Sequence, residues 1–391
     1  MRIGKVDAPS ALGCGVLVAL IFASALAITG LHMVRRMRAI HAIENMGGDV
    51  FLGPPPAGVF WRTVGAILGE DAVAPVQTVV FWGKREDADY SLLRELDDVK
   101  RVSFKDGFVD LDLKSLSAAR QLESVHFTDV GVTGIGLSYL PHPEHVKDMS
   151  FLSCPVNDEG ARQLTRFTHL EKLRLFDVQV GDRALSAVAH LQELKELRLM
   201  SPNVTNRGLS FLERHPCLTT LSIECARVTD DGIESLSTIV HLQEVCLFQS
   251  QITNRGLKSL TRLPNLNTLA VSGAGVTDGA VSHLKALPSL RVLNLYETNL
   301  TDACAADLAA MTRLEELATE DCYVTDKSLE LLQELKGLKT LNMRGTKVTD
   351  AGLVHLYGLT HLEIVILERT EVTPQGIAKL QRALPDCVVH Y

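Results

Sequence analysis

The segment VTDAGLVHLYGL, residues 348–359, contains an aspartate, a histidine and a tyrosine close together: Asp350, His355 and Tyr357. A carboxylate, an imidazole and a phenol at this spacing could perform general acid–base catalysis if they faced one cleft. However, VTDKSLELLQEL begins at Val324 and VTDDGIESLSTI at Val228, and neither contains the histidine or the tyrosine. The aspartate therefore belongs to a recurring unit, and the unit explains the segment better than an active site does.

The repeated unit has a fixed length, with no insertion or deletion between its copies. Successive units begin at a constant step of 24 in the numbering: Val132, Val156, Val180, Val204, Val228, Ile252, Val276, Leu300, Val324, Val348 and Val372. A degenerate unit begins at Phe108 in the same register, and a looser one near Arg85 is one residue short. The composite is V-T-D-x-G-L-x-x-L-x-x-L-x-x-L-x-x-L-x-L followed by four variable residues. Self-similarity at a fixed period of this size indicates a solenoid of stacked supersecondary units.

Each unit is predicted to form one helix and one strand. The third position is Asp or Asn in ten of the twelve in-register units, and we expect that side chain to cap its helix. Positions 6, 9 and 12, such as Leu353, Leu356 and Leu359, then share one helical face. Positions 18 and 20, such as Leu173 and Leu175, alternate with polar neighbours as in a strand. Stacked units predict a parallel inner sheet with helices outside, and the glycine at position 5 is expected to relieve crowding between adjacent helices.

The composition suits a large protein core and excludes some functions. Of 391 residues, 46% are hydrophobic but only 5% are aromatic, so leucine dominates burial. The net charge of −8 argues against general nucleic-acid binding. Eight cysteines form no CxxC pair, and we interpret them as small buried residues, not as a disulfide framework or a zinc site. They are Cys14, Cys154, Cys217, Cys225, Cys246, Cys304, Cys322 and Cys387.

The N-terminal region contains an apolar run, 11–34, that carries no formal charge. A single transmembrane helix needs about 20 apolar residues, so this run is long enough to span a bilayer. The alternative is a cleavable signal peptide, because small residues suited to cleavage occur at 23–27. Apolar sequence continuing through Val34 favours the uncleaved anchor. Arg35, Arg36 and Arg38 follow the span, and the positive-inside rule then favours a cytoplasmic body. We therefore expect a single-pass protein of a bacterial inner membrane.

The predicted organisation has four parts. A short tail covers residues 1–10 and the transmembrane helix 11–34. Residues 35–83 comprise a juxtamembrane helix ending at Gly47-Gly48, a proline-rich connector and an N-terminal cap, and 84–391 form a solenoid of about 12–13 units. The cap is assigned to a helix with an apolar stripe from Phe60 to Leu68, and the alternative is an interfacial helix with Trp61 at the headgroups.

The unit resembles the leucine-rich repeat, with LEKLRLFDV and LKTLNMRGT as strand segments. It is similar to the cysteine-containing class and to related bacterial, membrane-anchored repeats, over residues 85–391. It departs from the commonest class because Asp177, Cys225, Gly273 and Asp321 replace an asparagine ladder after the strand. The resemblance implies an α/β horseshoe that binds protein partners and catalyses no reaction. It extends to eukaryotic substrate receptors of ubiquitin ligases, but no adaptor-binding helical module is recognisable before these repeats.

Candidate binding residues are expected on the concave face, where positions 17, 19 and 21 point to solvent. Large apolar groups recur at position 21 and basic groups lie beside them, a composition typical of interface hot spots. The candidate residues are Leu152, Lys172, Arg174, Phe176, Arg198, Met200, Phe248 and Tyr296. The alternative is that these are scattered surface residues or are covered by loops.

Catalytic, cofactor and metal sites are not predicted. His145, His169, His241 and His361 all occupy position 14, which favours a structural role in a turn. His145 and His169 could stack in adjacent units, but two imidazoles without a third ligand form a poor metal site. No nucleophile elbow, phosphate-binding glycine loop or HExxH helix occurs in the sequence.

The sequence thus predicts a membrane-tethered scaffold that recognises a protein or peptide through its concave face. The alternative is a structural, envelope-organising protein that acts by self-association. Val389 and Tyr391 lie in the inward register of a last strand. We expect the shortened final unit and Tyr391 to close the core, although this edge could instead pair with another chain.

Overall fold

The computed structural model describes residues 31, 33–54, 57, 74–84, 95, 96 and 98–391. Within these residues, fifteen strands form one sheet in the order of the chain, in which β1 is antiparallel to β2 and all later neighbours are parallel. The strands are β1 Gly48–Leu52, β2 Val76–Phe81, β3 Arg101–Lys105, β4 Ser124–Thr128, β5 Asp148–Leu152, β6 Lys172–Phe176, β7 Glu196–Met200, β8 Thr220–Glu224, β9 Glu244–Phe248, β10 Thr268–Ser272, β11 Val292–Tyr296, β12 Glu316–Ala318, β13 Thr340–Asn342, β14 Ile364–Ile366 and β15 Val388–His390.

The strand register confirms the repeat. Leu173 pairs with Leu197, and Leu293 with Leu317, so each residue faces its counterpart one full unit further on. Val79, Val102 and Val125 are successive partners at a spacing one residue shorter, as the looser first unit predicts. Residues at position 18 are therefore in register across these strands. The predicted leucine-rich-repeat solenoid with its parallel inner sheet is correct.

The outer side of each unit is a short helix. The α-helices are a helix at 33–45 and Asp158–Ala161, Asp182–Val188, Asn206–Ser210, Asp230–Leu236, Asn254–Leu260, Asp278–Leu284, Ala305–Ala309, Asp326–Leu332 and Pro374–Ala383. 3-10 helices take their place or extend them at Asp110–Ala118, Ile135–Tyr139, Pro143–His145, Arg162–Arg166, Asp302–Cys304 and Gly352–Leu356.

The ten Asp and Asn side chains at position 3 connect neighbouring units, which corrects their predicted role as caps of their own helices. Each accepts a hydrogen bond from the backbone N–H that lies 23 residues further on: Asp110, Asp158, Asp182, Asn206, Asp230, Asn254, Asp278, Asp302, Asp326 and Asp350. We call this set the inter-unit ladder. It satisfies amides at the start of the next helix, which have no partner within that helix.

Threonine at position 2 caps the helix in several units instead. Thr205 Oγ1 accepts from the Arg207 backbone N–H at 3.3 Å and donates to Asp182 of the previous unit at 2.8 Å. The predicted need for a small residue at position 5 is confirmed, because a Cβ on Gly256 would lie 2.5 Å from Asp230 Oδ1. The recurring spacing V-T-D-x-G therefore encodes contact between units.

The N-terminal part of the core is aromatic. Phe81, Phe104, Phe127 and Phe151 stack in a row, with ring centroids separated by 5.6, 5.6 and 4.9 Å. Leu175 continues this row at position 20, and the core is aliphatic from there onward. The aromatic stack therefore thickens the core where the units are shorter and less regular.

The N-terminal cap is built from residues 33–52. Ile40 and Ile43 of the first helix are buried in the same core as the repeats, and β1 pairs with β2. The helix is followed by Gly47 at φ 81°, which confirms the predicted glycine stop. The cap helix predicted between Phe60 and Leu68 lies outside the described residues.

The prediction of a single-pass membrane protein is corrected. The predicted span, 11–34, falls outside the described residues apart from 31, 33 and 34. Within the described part of the chain, no helix combines the length and the apolar character needed to cross a membrane. Met33 is buried against protein, and Arg36, predicted to flank the span, is buried and pairs with Asp98 at 3.0 Å.

The last unit closes the core with its helix. Ile377, Leu380 and Leu384 are buried, whereas Tyr391 is 62% exposed and does not cover the core as predicted. Val389 pairs with Val365 and is half-buried. The amphipathic helix Pro374–Ala383 therefore covers this part of the core, which Tyr391 was predicted to do.

Candidate functional site on the concave face

Three neighbouring strands place apolar side chains side by side on the concave face. Leu152 and Phe176 are register partners in β5 and β6, and Met200 holds the same position in β7. Leu152 is 43% exposed, while Phe176 and Met200 are half-buried. We call these three residues the apolar row. Adjacent strands lie about 4.8 Å apart, so the row is continuous over about 10 Å.

Phe248 and Tyr296 form a second, separate group. Their ring centroids lie 6.3 Å apart across Ser272, and Glu224 separates them from the apolar row. Burial, followed by the charges of Glu316 and Glu320, raises the pKa of Tyr296. Its hydroxyl therefore remains a neutral hydrogen-bonding group at physiological pH.

The predicted arginines are present on the face but are already paired with carboxylates. Arg174 contacts Asp148 at 2.9 Å and Glu196 at 3.2 Å, and Arg198 contacts Glu196 at 2.8 Å and Glu244 at 3.6 Å. We call these five residues the charge strip. Burial alone would raise the pKa of Glu196, but Arg198 and Arg174 outweigh it and lower the pKa. The arginines are thus held in fixed positions by carboxylates that sequence reasoning missed.

Lys172 lies between two of those carboxylates. It is exposed and is the register partner of Asp148 on one side and Glu196 on the other. Position 17 therefore carries Asp, Lys and Glu in three consecutive strands. This alternation of charge across the sheet is the sequence pattern that indicates the charge strip, and it becomes visible only when the units are aligned.

A polar cluster adjoins the apolar row on its N-terminal side. His126 Nε2 lies 2.8 Å from Ser124 Oγ, and His126 Nδ1 lies 2.7 Å from Ser150 Oγ. Burial is the largest cause that lowers the pKa of His126, against the opposing effect of Asp148. The neutral imidazole bridges the two serine hydroxyls. These three side chains add hydrogen-bonding groups to the face, and the sequence analysis did not predict that they lie together.

Buried side chains line the centre of the concave face. Position 19 carries Cys246, Ala270, Asn294 and Ala318 in consecutive units, and all four are buried. Burial, followed by the charge of Glu244, raises the pKa of Cys246 to about 11, so this thiol is protonated and poorly nucleophilic. On this part of the face, positions 17 and 21 flank the buried side chains of position 19.

The cysteines and the loops after the strands are structural. Of the cysteines in the described residues, all are free, and all are buried except the half-buried Cys217, in agreement with the sequence-based interpretation. Asp177 and Asp321 adopt positive φ and do not point into the core; Cys322, the next residue, is buried instead. Only where the loop differs, as at Cys225, does position 22 face inward.

The segment VTDAGLVHLYGL has no catalytic geometry. Asp350 accepts from the Thr373 backbone N–H at 2.8 Å and from Thr373 Oγ1 at 2.6 Å, as a member of the inter-unit ladder. His355 lies in the outer 3-10 turn Gly352–Leu356. His145 stacks on His142, with centroids 5.3 Å apart, and not on His169, which pairs with Glu193 at 3.8 Å.

Comparison with known proteins agrees with this fold. The model of a family described as Leucine Rich repeat matches residues 214–237. An internalin of Listeria monocytogenes is 18% identical, with a TM-score of 0.59, over 84% of this chain and 93% of the internalin chain. A chain of the mouse RP105/MD-1 complex is 15% identical with a TM-score of 0.52, over 78% of this chain and 57% of the mouse chain. No curated protein matches the sequence.

The stacked units, the continuous parallel sheet and the solvent-facing concave surface define a solenoid of the kind that presents an extended binding face. The repeat in this solenoid is the leucine-rich repeat. Residues 214–237 match that repeat in sequence, and the fold as a whole is that of a leucine-rich-repeat solenoid.

Proposed function

We propose that the chain is a recognition scaffold that binds a protein or peptide through the concave face, centred on the apolar row. The observation that carries this proposal is the run of Leu152, Phe176 and Met200 on strands whose alternation calls for polar residues at that position. Contiguous apolar side chains bordered by polar groups mark interaction sites more often than isolated exposed leucines do.

The surroundings of the apolar row suit a protein partner. The charge strip runs beside it, with Arg174 and Arg198 pre-positioned by carboxylates, so ordering these arginines on binding costs little entropy. Phe248 and Tyr296 extend the face toward the C-terminus. The mouse relative is a chain of a two-protein complex, which supports a protein ligand for this solenoid as well.

The experiment is site-specific photo-crosslinking in cells that naturally produce the chain. A photoreactive amino acid replaces Phe176 on the concave face or Leu331, 41% exposed, on an outer helix. We expect a discrete crosslinked partner from position 176 and none of that mass from position 331. Equal crosslinking from both positions would place the binding surface elsewhere.

A second step tests the energetics with the partner so identified. Leu152→Asp is expected to weaken binding by at least about tenfold, as a charge buried in the centre of an interface does. Leu331→Asp is the matched control, because Leu331 and Leu152 are almost equally exposed, at 41% and 43%. An unchanged affinity for Leu152→Asp refutes the proposed centre of the site.

The alternative function, self-association, has one supporting observation. Within the described sheet, β15 pairs only with β14, and its Val388 is 54% exposed. Sedimentation of the full chain distinguishes the two proposals, because Val388→Lys would abolish an edge-to-edge dimer and leave concave-face binding intact.

A further inference from the structure

The unit that begins at Val132 departs from the repeat in one short segment, Pro-His-Pro-Glu-His at 141–145. Position 12 carries a buried leucine in other units, such as Leu191 and Leu263, but carries Pro143 here. The segment forms a separate 3-10 turn, Pro143–His145, before β5. A half-buried proline, with a histidine before it and another two residues after it, thus stands where other units carry a core leucine.

The turn brings three potential metal ligands together. One ring nitrogen of His142, one of His145 and a carboxylate oxygen of Glu144 lie within 4.8 Å of one another. His142 Nδ1 and Glu144 Oε1 are 3.1 Å apart, and the two rings are nearly parallel, at 16°. The side chains of His142 and Glu144 are 40% and 47% exposed, so an ion can reach them from solvent.

The tautomer of His145 is fixed by the neighbouring unit. Its Nδ1 lies 2.8 Å from the backbone carbonyl oxygen of Arg120. A carbonyl can only accept a hydrogen bond, so Nδ1 carries the proton and Nε2 keeps its lone pair. A backbone carbonyl that orients an imidazole in this way is the usual outer-shell partner of a metal-binding histidine.

We infer that His142, Glu144 and His145 form a binding site for a divalent transition-metal ion of the zinc type. Two imidazoles, one carboxylate and a water match the ligand set of open tetrahedral zinc sites. Ligand atoms in such a site are about 3.3 Å apart, given bond lengths near 2.0–2.1 Å. The exposed side chains therefore close from within 4.8 Å by up to about 1.5 Å through rotation of their χ angles. Imidazole ligands select zinc-like ions over magnesium and calcium, which prefer oxygen ligands.

The cysteines of the described residues compete poorly for the same ion. Metal binding requires the thiolate, and burial is the main cause that raises the pKa of Cys225 and of Cys246 to about 11. Cys217 is half-buried and is the thiol most open to solvent among them. Cys217→Ser therefore serves as the background for all titrations.

The test measures metal content and affinity of the full chain, expressed without a polyhistidine tag. The protein is dialysed against zinc chloride in the presence of excess magnesium chloride, and bound zinc is measured by mass spectrometry. Cobalt(II) then serves as a probe, because its visible absorption reports the ligand geometry. We expect one ion per chain and a loss of affinity of at least about tenfold in His142→Gln and in Glu144→Gln.

His169→Gln is the matched control. His169 occupies position 14, as His145 does, one unit further on, and it also lies beside a glutamate. We expect it to bind zinc as the parent does. The inference is overturned if the parent binds no stoichiometric zinc, if His142→Gln binds as tightly as the parent, or if His169→Gln loses as much affinity. All three substitutions lie on the surface, and circular dichroism verifies that each variant is folded.

Discussion

His215 is predicted to weaken the solenoid, and replacing it with leucine should stabilise the protein increasingly as the pH falls. The residue occupies position 12, where the neighbouring units carry Leu191 and Ile239, and it is only 4% exposed. Its Nε2 lies 3.1 Å from the Leu191 carbonyl oxygen and must donate to it. Its Nδ1 is buried and has no hydrogen-bond partner among the described residues.

The magnitude follows from the two ring nitrogens. A buried acceptor without a partner costs about 1–3 kcal/mol, and the hydrogen bond from Nε2 returns about 0.5–1.5 kcal/mol. The Leu191 carbonyl also accepts from the Leu194 backbone N–H at 2.9 Å, so removing the ring does not leave this oxygen unpaired. The substitution His215→Leu should therefore stabilise the folded state by about 1 kcal/mol at neutral pH.

The pH dependence has a definite sign. Burial lowers the pKa of His215 from the ordinary value of 6.5, and the hydrogen bond to Leu191 opposes this effect only in part. The unfolded chain therefore takes up a proton that the folded chain resists. The stability of the parent is complete above the unfolded pKa and is lost as the pH falls from there toward the folded pKa. Within that window, each unit of pH lowers the free energy of unfolding of the parent by at most about 1.4 kcal/mol. At about pH 5 the total loss is therefore at most about 2 kcal/mol.

The assay is urea denaturation followed by circular dichroism at about pH 7.5 and about pH 5, with midpoints compared because solenoids can unfold in stages. The midpoint of His215→Leu should exceed that of the parent at both pH values, and the difference should widen at the lower one. His241→Leu, at an exposed position in the next unit, is the control and should show no such widening. A difference that stays constant or shrinks at the lower pH refutes the assignment of His215 as a buried, proton-resisting group.

Two further predictions concern contacts between units. Gly160→Ala should lower the free energy of unfolding by more than about 1 kcal/mol in the same assay, because the new Cβ overlaps the Thr133 carbonyl, whereas Gly337→Ala, with space around it, should change it little. Asp302→Ala should cost about 1–3 kcal/mol by removing the acceptor of Ser328 and of neighbouring amides. Burial alone would raise the pKa of Asp302, but hydrogen bonds, led by the one from Ser328, lower this pKa. The difference in stability between the parent and Asp302→Ala should therefore hold above about pH 4 and shrink below it.

The regular part of the fold was predictable because each strand and helix repeats one local pattern. The alternation at Leu173 and Leu175 determines which side of the strand is buried, and the constant step between units determines which residue pairs with which. The role of the position 3 aspartates was not predictable from a single unit. Asp182 could cap its own helix as far as local sequence shows, and its contact with Thr205 exists only after two units stack.

The candidate site was predicted by position but not by chemistry. Alternation places Phe176 and Arg174 on the concave face, but the partners of Arg174 lie 26 residues before it and 22 residues after it. Pairwise charge contacts of this kind depend on the curvature of the sheet and on side-chain conformations, which a repeat pattern does not contain. The capping role of residues 33–52 was missed for a similar reason. Arg36 resembles the flank of a membrane span in sequence, and only its contact with Asp98 shows that it is buried in protein.

Departures from the repeat carry the information that the repeat itself lacks. In a solenoid, each unit packs mainly against its neighbours, so a departure costs stability locally and can persist without disrupting the array. Pro143 and His215 both replace a core leucine at position 12, and the apolar row and the charge strip lie on the strands between and beside these two sites. The units from Phe108 to Val204 thus hold most of what distinguishes this chain from a uniform leucine-rich array. Metal binding and the centre of partner binding should therefore map to these units and to the adjoining unit from Val228, while Tyr296 extends the face into the unit that begins at Val276.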